Sequence, residues 1–538
     1  MSRSARVVKV ALAAGLLCSL LFVAPAPAKP GRLSDAAVRR LQAPFLDSQA
    51  QEGALPSPMA PPAPAFTAPR ARAAAAAAAL APKDGGQWDY LPPLPSDFNA
   101  IHAITGPNGK ILLIAGSGNS PKDFVAKKFQ SYLYDPSTGA LTKIATPDDL
   151  FCSGHVLLPD GRALVIGGTA AIEPFKGLRA VYTFNFFTEK YENWTTAEAK
   201  ARWYPTLVKM PDGRVIVQGG FSETGGTQTV SEVFDPQTNS LTPLPRPKSW
   251  PLYAQLTLAI NQKLFFSGGA SGNALIPPGF WEPYTGLKYN VTGLSAAGQR
   301  AAAATCLFGD VGNQDLLIAG GGFPATDHVD HIKLNAAAPA YTPAAPLPAA
   351  SAYVQCVNLP DGTLLTFGGG SANQIAAARP ETSILKSLTG PWKPMNPMPA
   401  GEHRLYHNGY CLLNDGTVLS FSSNPKGEPE SKSLLRYSPP YKFTGPPPVI
   451  TSAPSVMTYG QSHPVAATAT GTTVTRFTLV TLTSTTHNLS SDQRYKNLPI
   501  KDGRITTPAR TLMPPGYYHL FAVDGLGRPS AGQIVRLQ

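Results

Sequence analysis

The 538-residue sequence holds only 5 cysteines, and one of them, Cys18, lies in the first apolar segment. The other four, Cys152, Cys306, Cys356 and Cys411, are too few for a disulfide-framed fold in a chain this long, and their spacing assigns no pairing. Charged residues are also scarce, at 14%. Lys and Arg still outnumber Asp and Glu by 45 to 33, a formal net charge of +12. That excess suits acidic partners such as anionic polysaccharide, or plain solubility. No dense basic run and no nucleic-acid motif accompanies it, so nucleic acid is not an expected partner. No dinucleotide-type glycine loop opens a helix. Long apolar runs are missing beyond the N-terminus. The stretch from Val10 to Val23 is itself short for a membrane span, which takes about 20 residues.

That stretch follows the basic Arg3, Arg6 and Lys9 and precedes Ala26-Pro27-Ala28. It reads as a signal peptide over 1–28, which predicts an extracytoplasmic protein (secreted, periplasmic or at the cell surface) with no stable membrane insertion after cleavage. Residues 29–83 are rich in Ala and Pro, with an alanine run over 73–79, and read as a linker or arm. A short helix from Ser34 to about Gln42 fits the local pattern, with Pro44 just beyond.

What the chain has in abundance is 49 Gly and 55 Pro, which suits many short strands joined by tight turns. A repeat organises them: an apolar strand, a Pro-Asp-Gly type of turn, a second apolar strand and a glycine pair. It recurs as "LLPDGRALVIGG", "VKMPDGRVIVQGG", "LAINQKLFFSGG", "GNQDLLIAGG" and "VNLPDGTLLTFGG", with weaker copies in "TGPNGKILLIAG" and "LLNDGTVLSFSSN". The copies end roughly 50 residues apart, the kelch period. Asp-Gly and Asn-Gly supply the positive φ that a tight hairpin needs. One such unit cannot bury both faces of its sheet, whereas seven arranged radially can. The expected fold is therefore all-β: a seven-bladed kelch-type propeller over 84–445. After Pro446-Pro447-Pro448 the repeat stops, and alternating segments such as "TVTRFTLVTLTS" predict an immunoglobulin-like β-sandwich over 446–538.

Aligned on their turns, the repeats carry chemically capable residues at one offset. Cys152, Tyr204 and His407 each stand 8 residues before the Asp of their turn, as Tyr353 does, and Tyr253 stands 8 before Asn261. Equal offsets put them at one level near the axis, with Tyr406 beside His407. Taken singly, each has a plain structural reading: Cys152 as a buried small hydrophobe, Tyr204 as core, and His407, near Arg404, as part of a kelch signature. Tyr253 and Tyr353 either line the axial mouth or pack. His155 lies off the offset and reads as structural. The "DHVDH" cluster of Asp327, His328, Asp330 and His331 reads as a solvated surface turn rather than a metal site.

The segments "DLFCSGHVLLPDG", "ARWYPTLVKMPDG", "EHRLYHNGYCLLNDG" and "TLTSTTHNLSSDQRY" together resemble the galactose oxidase and glyoxal oxidase family of copper-radical oxidases, from about Trp88 to Gln538. The resemblance implies one copper ion and a protein-derived Cys-Tyr radical cofactor, with Cys152 joined to the Tyr204 ring by a thioether. It implies Tyr204 as copper ligand and radical site, Tyr406 as axial ligand and base, and His407 and His487 as imidazole ligands. It implies a monomer oxidising a primary alcohol, hydrated aldehyde or carbohydrate with O2 to aldehyde or acid plus hydrogen peroxide. "RLYHN" and "THNLSSDQR" look closer to the glyoxal oxidase branch, whose substrates are small aldehydes. One departure stands out: galactose oxidase carries a tryptophan over the radical ring just after the glycine pair, and here Phe221 and Ser222 follow Gly219-Gly220. Two other functions compete: a non-catalytic glycan-binding or adhesive propeller, and a propeller glycoside hydrolase. The hydrolase needs paired acids at the mouth, whereas the shared offset carries Cys, Tyr and His.

Overall fold

A computed structural model of the chain describes residues 79–194, 199–267, 276–295 and 300–538. The signal segment, the helix expected near Ser34 and nearly all of the arm lie outside the described residues. The described chain is almost entirely β. Seven antiparallel sheets of four strands follow one another along it, one of them extended to five. Each contains one of the strands His102–Thr105, Gly154–Leu157, Thr206–Lys209, Leu256–Leu258, Ala304–Leu307, Gln355–Asn358 and Gly409–Leu412. These are buried at nearly every position. The strand Gln87–Leu91 pairs with Ser431–Ser438, so the start of the described chain completes the sheet built by the last repeat. His102–Thr105 is flanked by Gly154–Leu157 and by Gly409–Leu412.

The repeat's residues explain the shape of each unit. In "LLPDGR", the Leu158 N–H donates to the Arg162 carbonyl at 2.8 Å, and the Asp160 carboxylate accepts from the Arg162 N–H at 3.0 Å. Gly161 supplies the required φ of 92°. At the other end, the glycine pair makes room. A Cβ on Gly220 would sit 2.6 Å from the Trp203 carbonyl, and φ there is +89°. Buried arginines brace the same region. Arg202 bonds Glu232 at 2.6 Å and the Gly219 carbonyl at 2.8 Å, and Arg300 bonds Asp330 at 2.6 Å and the Gly320 carbonyl at 2.7 Å.

Two details differ from the sequence reading. The arm's last residues are docked: Asn396 accepts from Leu80 N–H at 2.8 Å and donates to the Gly86 carbonyl at 2.6 Å, beside the short helix Pro82–Gly85. The "DHVDH" cluster is not a solvated turn. Its second half lies in the strand Val329–Lys333, where Asp330 is fully buried against Arg300 and His331 meets Asp315 at 2.8 Å. The acid there compensates a buried guanidinium, a pairing that a search for metal ligands passes over.

The C-terminal region forms a five-stranded sheet in the order Val456–Met457, Gln533–Leu537, Gly516–Asp524, Val474–Thr481 and Tyr495–Pro499, with two small two-stranded ladders. Phe477, Leu479, Tyr518 and Leu520 share an apolar core with Phe265, Leu316 and Ile332 of the repeats. A finger leaves this sheet and adds Ser484–Thr486 as a fifth strand beside His102–Thr105, pairing Thr486 with His102. That insertion carries His487 among the repeats.

Candidate metal centre

The shared sequence offset corresponds to a shared backbone conformation. Cys152 (φ 59°), Tyr204 (66°), Tyr253 (44°), Ala302 (55°), Tyr353 (63°) and His407 (63°) all occupy the left-handed region, which costs a non-glycine residue of order 1 kcal/mol or more. Neighbouring repeats tie these corners together. Tyr204 N–H donates to the Cys152 carbonyl at 2.9 Å, Tyr253 N–H to the Tyr204 carbonyl at 3.0 Å, and Tyr353 N–H to the Ala302 carbonyl at 2.9 Å. The reversal of direction at each corner aims the side chains into one buried cluster.

Five residues meet there. The Cys152 thiol, the His407 imidazole and the His487 imidazole place their donor atoms within 4.8 Å of one another. Tyr204 Oη lies 3.0 Å from His487 Nε2 and within hydrogen-bond reach of Tyr406 Oη and of the Cys152 thiol. Tyr406 stacks on His407 with ring centroids 3.9 Å apart. The His407 and His487 rings meet edge to face at 4.4 Å.

Burial keeps both imidazoles in the form that can donate a lone pair and keeps the Tyr204 phenol protonated. Burial pushes His407 down to about 3 and His487 well below its ordinary value, the latter aided by the neighbouring His407, His102 and His155, so both rings are neutral. Burial, with Cys152, Tyr406 and Tyr253 adding to it, holds the Tyr204 phenol well above its ordinary value. The tautomer of His487 follows from its partners. Thr486 Oγ1 gives its one hydrogen to the Ile101 carbonyl at 3.2 Å, so it accepts from His487 Nδ1–H at 2.6 Å. Nε2 is thereby left with a free lone pair facing Tyr204.

His407 is 1% exposed, yet neither ring nitrogen has a hydrogen-bond partner among the described residues. Buried polar nitrogens are normally satisfied, and a cation would satisfy this one. Two neutral imidazoles and two phenol oxygens in one buried cluster fit a Cu(II) donor set. The residues present therefore suit a bound copper ion.

The remaining sequence candidates are placed as follows. Tyr253 packs on Tyr204 (4.3 Å between centroids), and its hydroxyl donates to the Ser153 carbonyl at 2.6 Å. Tyr353 lies between Tyr406 (5.7 Å) and the half-exposed Phe323 (5.8 Å). His155 is tied to Ser484 Oγ at 2.8 Å. Phe221 does not cover Tyr204; it stacks on Trp203 with planes 10° apart, and Phe175 stacks on Trp203 at 14°. Trp203 itself packs against Tyr204, at 4.0 Å. The sequence left open which aromatic lies against this tyrosine, and the residue before it is one that does. Cys306 and Cys356 are free, buried thiols hydrogen-bonded to each other, and Cys411 is free as well. Sequence reasoning missed His102, whose Nε2 accepts from Cys152 N–H at 3.1 Å.

Comparison with known proteins adds the wider relationship. Residues 447–537 match the galactose oxidase-like, early set domain family. The chain is 25% identical over 500 residues to a WSC domain-containing protein of Arthroderma benhamiae, covering 84% of this chain but 53% of that protein, so it spans about half of that relative's length. It is 26% identical over 498 residues to an aldehyde oxidase, GLOX, of Vitis pseudoreticulata, covering 80% of this chain and 91% of the relative. It is 24% identical over 514 residues to galactose oxidase of Gibberella zeae, covering 85% and 71%. Among solved structures, a fungal alcohol oxidase of the AA5 family in complex with copper superposes with a TM-score of 0.71 at 21% identity, over 85% of this chain and 99% of that one. The likeness to galactose and glyoxal oxidases read from four short motifs therefore extends over most of the chain.

Proposed function

We propose that this chain, a relative of galactose oxidase and the aldehyde oxidases, is a copper-radical oxidase. It oxidises a primary alcohol to an aldehyde, or a hydrated aldehyde to an acid, and passes the two electrons and two protons to O2 as hydrogen peroxide. Small aldehydes of the glyoxal-oxidase kind, or a carbohydrate alcohol, are the substrate class. The observation that carries this reading is the convergence of Cys152, Tyr204, Tyr406, His407 and His487 from four distant segments into one buried cluster.

His407, His487, Tyr204 and Tyr406 would hold the copper ion, which supplies a Lewis acid for the substrate oxygen and one of the two oxidising equivalents. Tyr204, joined to Cys152 through sulfur, would supply the other equivalent. Tyr406 Oη takes the substrate's hydroxyl proton within hydrogen-bond reach. Tyr204 Oη takes a hydrogen atom from the adjacent carbon. Burial of the whole cluster keeps bulk water from quenching the radical. Trp203, packed on Tyr204, is the aromatic neighbour that tunes it.

The same reading carries the domain plan: a cleaved signal over 1–28, an arm over 29–83, a seven-bladed kelch-type propeller over 84–445 and a sandwich over 446–538, acting as an extracytoplasmic monomer. No helix among the described residues is long and apolar enough to cross a membrane. The test is the mass of the peptides bearing Cys152 and Tyr204 before and after aerobic copper loading. A single linked species, lighter by a pair of hydrogens, is expected, and Tyr204→Phe should abolish both the link and peroxide production while the protein stays folded. Separate peptides after demonstrated copper binding would favour the glycan-binding propeller.

A further inference from the structure

We propose that His102 is a positioning residue whose ring nitrogen holds Cys152 in the conformation that lets its sulfur bond to the Tyr204 ring; this inference rests on the copper-radical reading. Cys152 sits at φ +59°, a conformation that needs outside support. Its carbonyl accepts from Tyr204 N–H at 2.9 Å, which joins the two partners of the link through their backbones. Its N–H donates to His102 Nε2 at 3.1 Å. The peptide on the N-terminal side of the strained corner is thus held by a side chain that arrives from a different sheet.

The choice of histidine is informative. A backbone corner is ordinarily satisfied by a carbonyl or a hydroxyl. Here the acceptor is an imidazole that is 0% exposed, and accepting at Nε2 puts its hydrogen on Nδ1, which has no hydrogen-bond partner among the described residues. A residue selected for packing alone would not strand a buried N–H. His102 also stands opposite Thr486 in the ladder between its strand and the finger, and Thr486 is the residue that orients His487. One strand end therefore sets the position of Cys152 through a side chain and that of His487 through the finger it pairs with.

The chemistry that depends on this is demanding. Forming the thioether removes the thiol hydrogen and one ring hydrogen ortho to the Tyr204 hydroxyl, makes one S–C bond, and sends two electrons and two protons to dioxygen as hydrogen peroxide. The sulfur must face a single ring carbon, and a rotation of the Cys152 peptide would turn it away.

The experiment compares His102→Gln with His102→Met in the full chain. The two side chains are alike in size, and only glutamine offers an oxygen near the position of Nε2. Cross-linking is followed by peptide mass after aerobic copper addition, copper stoichiometry is measured in parallel, and hydrogen exchange is read at the peptide containing the Cys152 amide. The Met variant should bind copper in full, exchange the Cys152 amide faster, and cross-link about tenfold more slowly or worse. The Gln variant should recover most of the rate and the protection. Equal rates in Met variant and unaltered protein, or equal impairment of both variants, would overturn the proposal, since the second result points to packing. If the unaltered protein itself formed no link, the copper-radical reading would fall. Hydrogen exchange would then still decide whether His102 holds Cys152.

Discussion

Replacing Glu232 by glutamine tests whether the brace under Tyr204 works as the geometry implies. Arg202 and Glu232 are both 0% exposed. Glu232 Oε2 accepts from Arg202 Nη2 at 2.6 Å and Nε at 3.1 Å, while Oε1 accepts from Lys200 N–H at 3.1 Å. Arg202 also donates to the carbonyls of Gly219 at 2.8 Å and Val230 at 2.6 Å. Burial lowers the Arg202 pKa against the opposing pull of Glu232, which marks the guanidinium as a charge that depends on its partner. Glu232→Gln keeps the shape and removes the compensating charge. Breaking a buried pair from one side costs about 3–5 kcal/mol. Glu223→Gln is the control, since its pair with Arg179 is 54% and 43% exposed and lies 3.3 Å apart; an exposed pair contributes no more than about 1 kcal/mol. Urea denaturation followed by tryptophan fluorescence should show a large midpoint loss for Glu232→Gln and almost none for Glu223→Gln. Arg202 stands two residues before Tyr204, so the same variant should lose bound copper at lower urea. A Glu232→Gln loss as small as that of the control would refute the brace.

Two further outcomes follow from the same neighbourhood. Burial raises Asp149 to about 6, with Asp148 adding to it, against hydrogen bonds from Ser117 N–H at 2.7 Å and Phe151 N–H at 3.2 Å. The folded-state pKa lies above the ordinary value of 3.8, so this group's contribution is fully present below that value and is lost as pH rises through about 6. Thermal midpoints measured from acid to neutral pH should therefore show the unaltered protein losing ground to Asp149→Asn as pH rises, and a constant difference would contradict the burial argument. Thr486→Val removes the acceptor for His487 Nδ1–H while keeping the volume. Copper affinity, measured by competition with a chelator, should fall about 10–100-fold, and an unchanged affinity would show that Thr486 does not orient the ligand.

The repeat was legible because its turn chemistry is local. Asp160 and Gly161 specify a hairpin with no help from the rest of the chain, and the same is true at Asp212, Asp361 and Asp415. Counting from those turns brought Cys152, Tyr204 and His407 to one level, since each offset spans one strand and one corner. What stayed hidden needed partners far away in sequence. Asp330 read as part of a solvated surface turn because its partner Arg300 is a neighbour only in space. Trp203 drew no reading from the sequence, and its contact with Tyr204 goes with the left-handed backbone at Tyr204. His102 sits on the strand itself rather than at the offset. The only hint is a lone imidazole in the apolar run "AIHAIT", a signal that most buried histidines would also give.

The sixth corner shows why the offset alone could not complete the site. Five of the left-handed positions carry Cys, Tyr or His, whereas the corner at 302 carries alanine. Large side chains at positive φ point inward at a conformational cost and are kept where they make contacts worth that cost. Ala302 has no side chain beyond Cβ to make such contacts. The fingertip arrives there: Asn488 Nδ2 donates to the Ala303 carbonyl at 2.7 Å, and Leu489 joins the same apolar cluster as Ala302. His487 and Asn488 are themselves left-handed, at φ 49° and 53°. The repeats therefore supply every proposed donor but one, and the corner with the smallest side chain lies where the C-terminal region brings in His487. If the proposed site is assembled this way, it needs the C-terminal region for chemistry as well as for stability, because among the described residues His487 is the one proposed donor from outside the repeats.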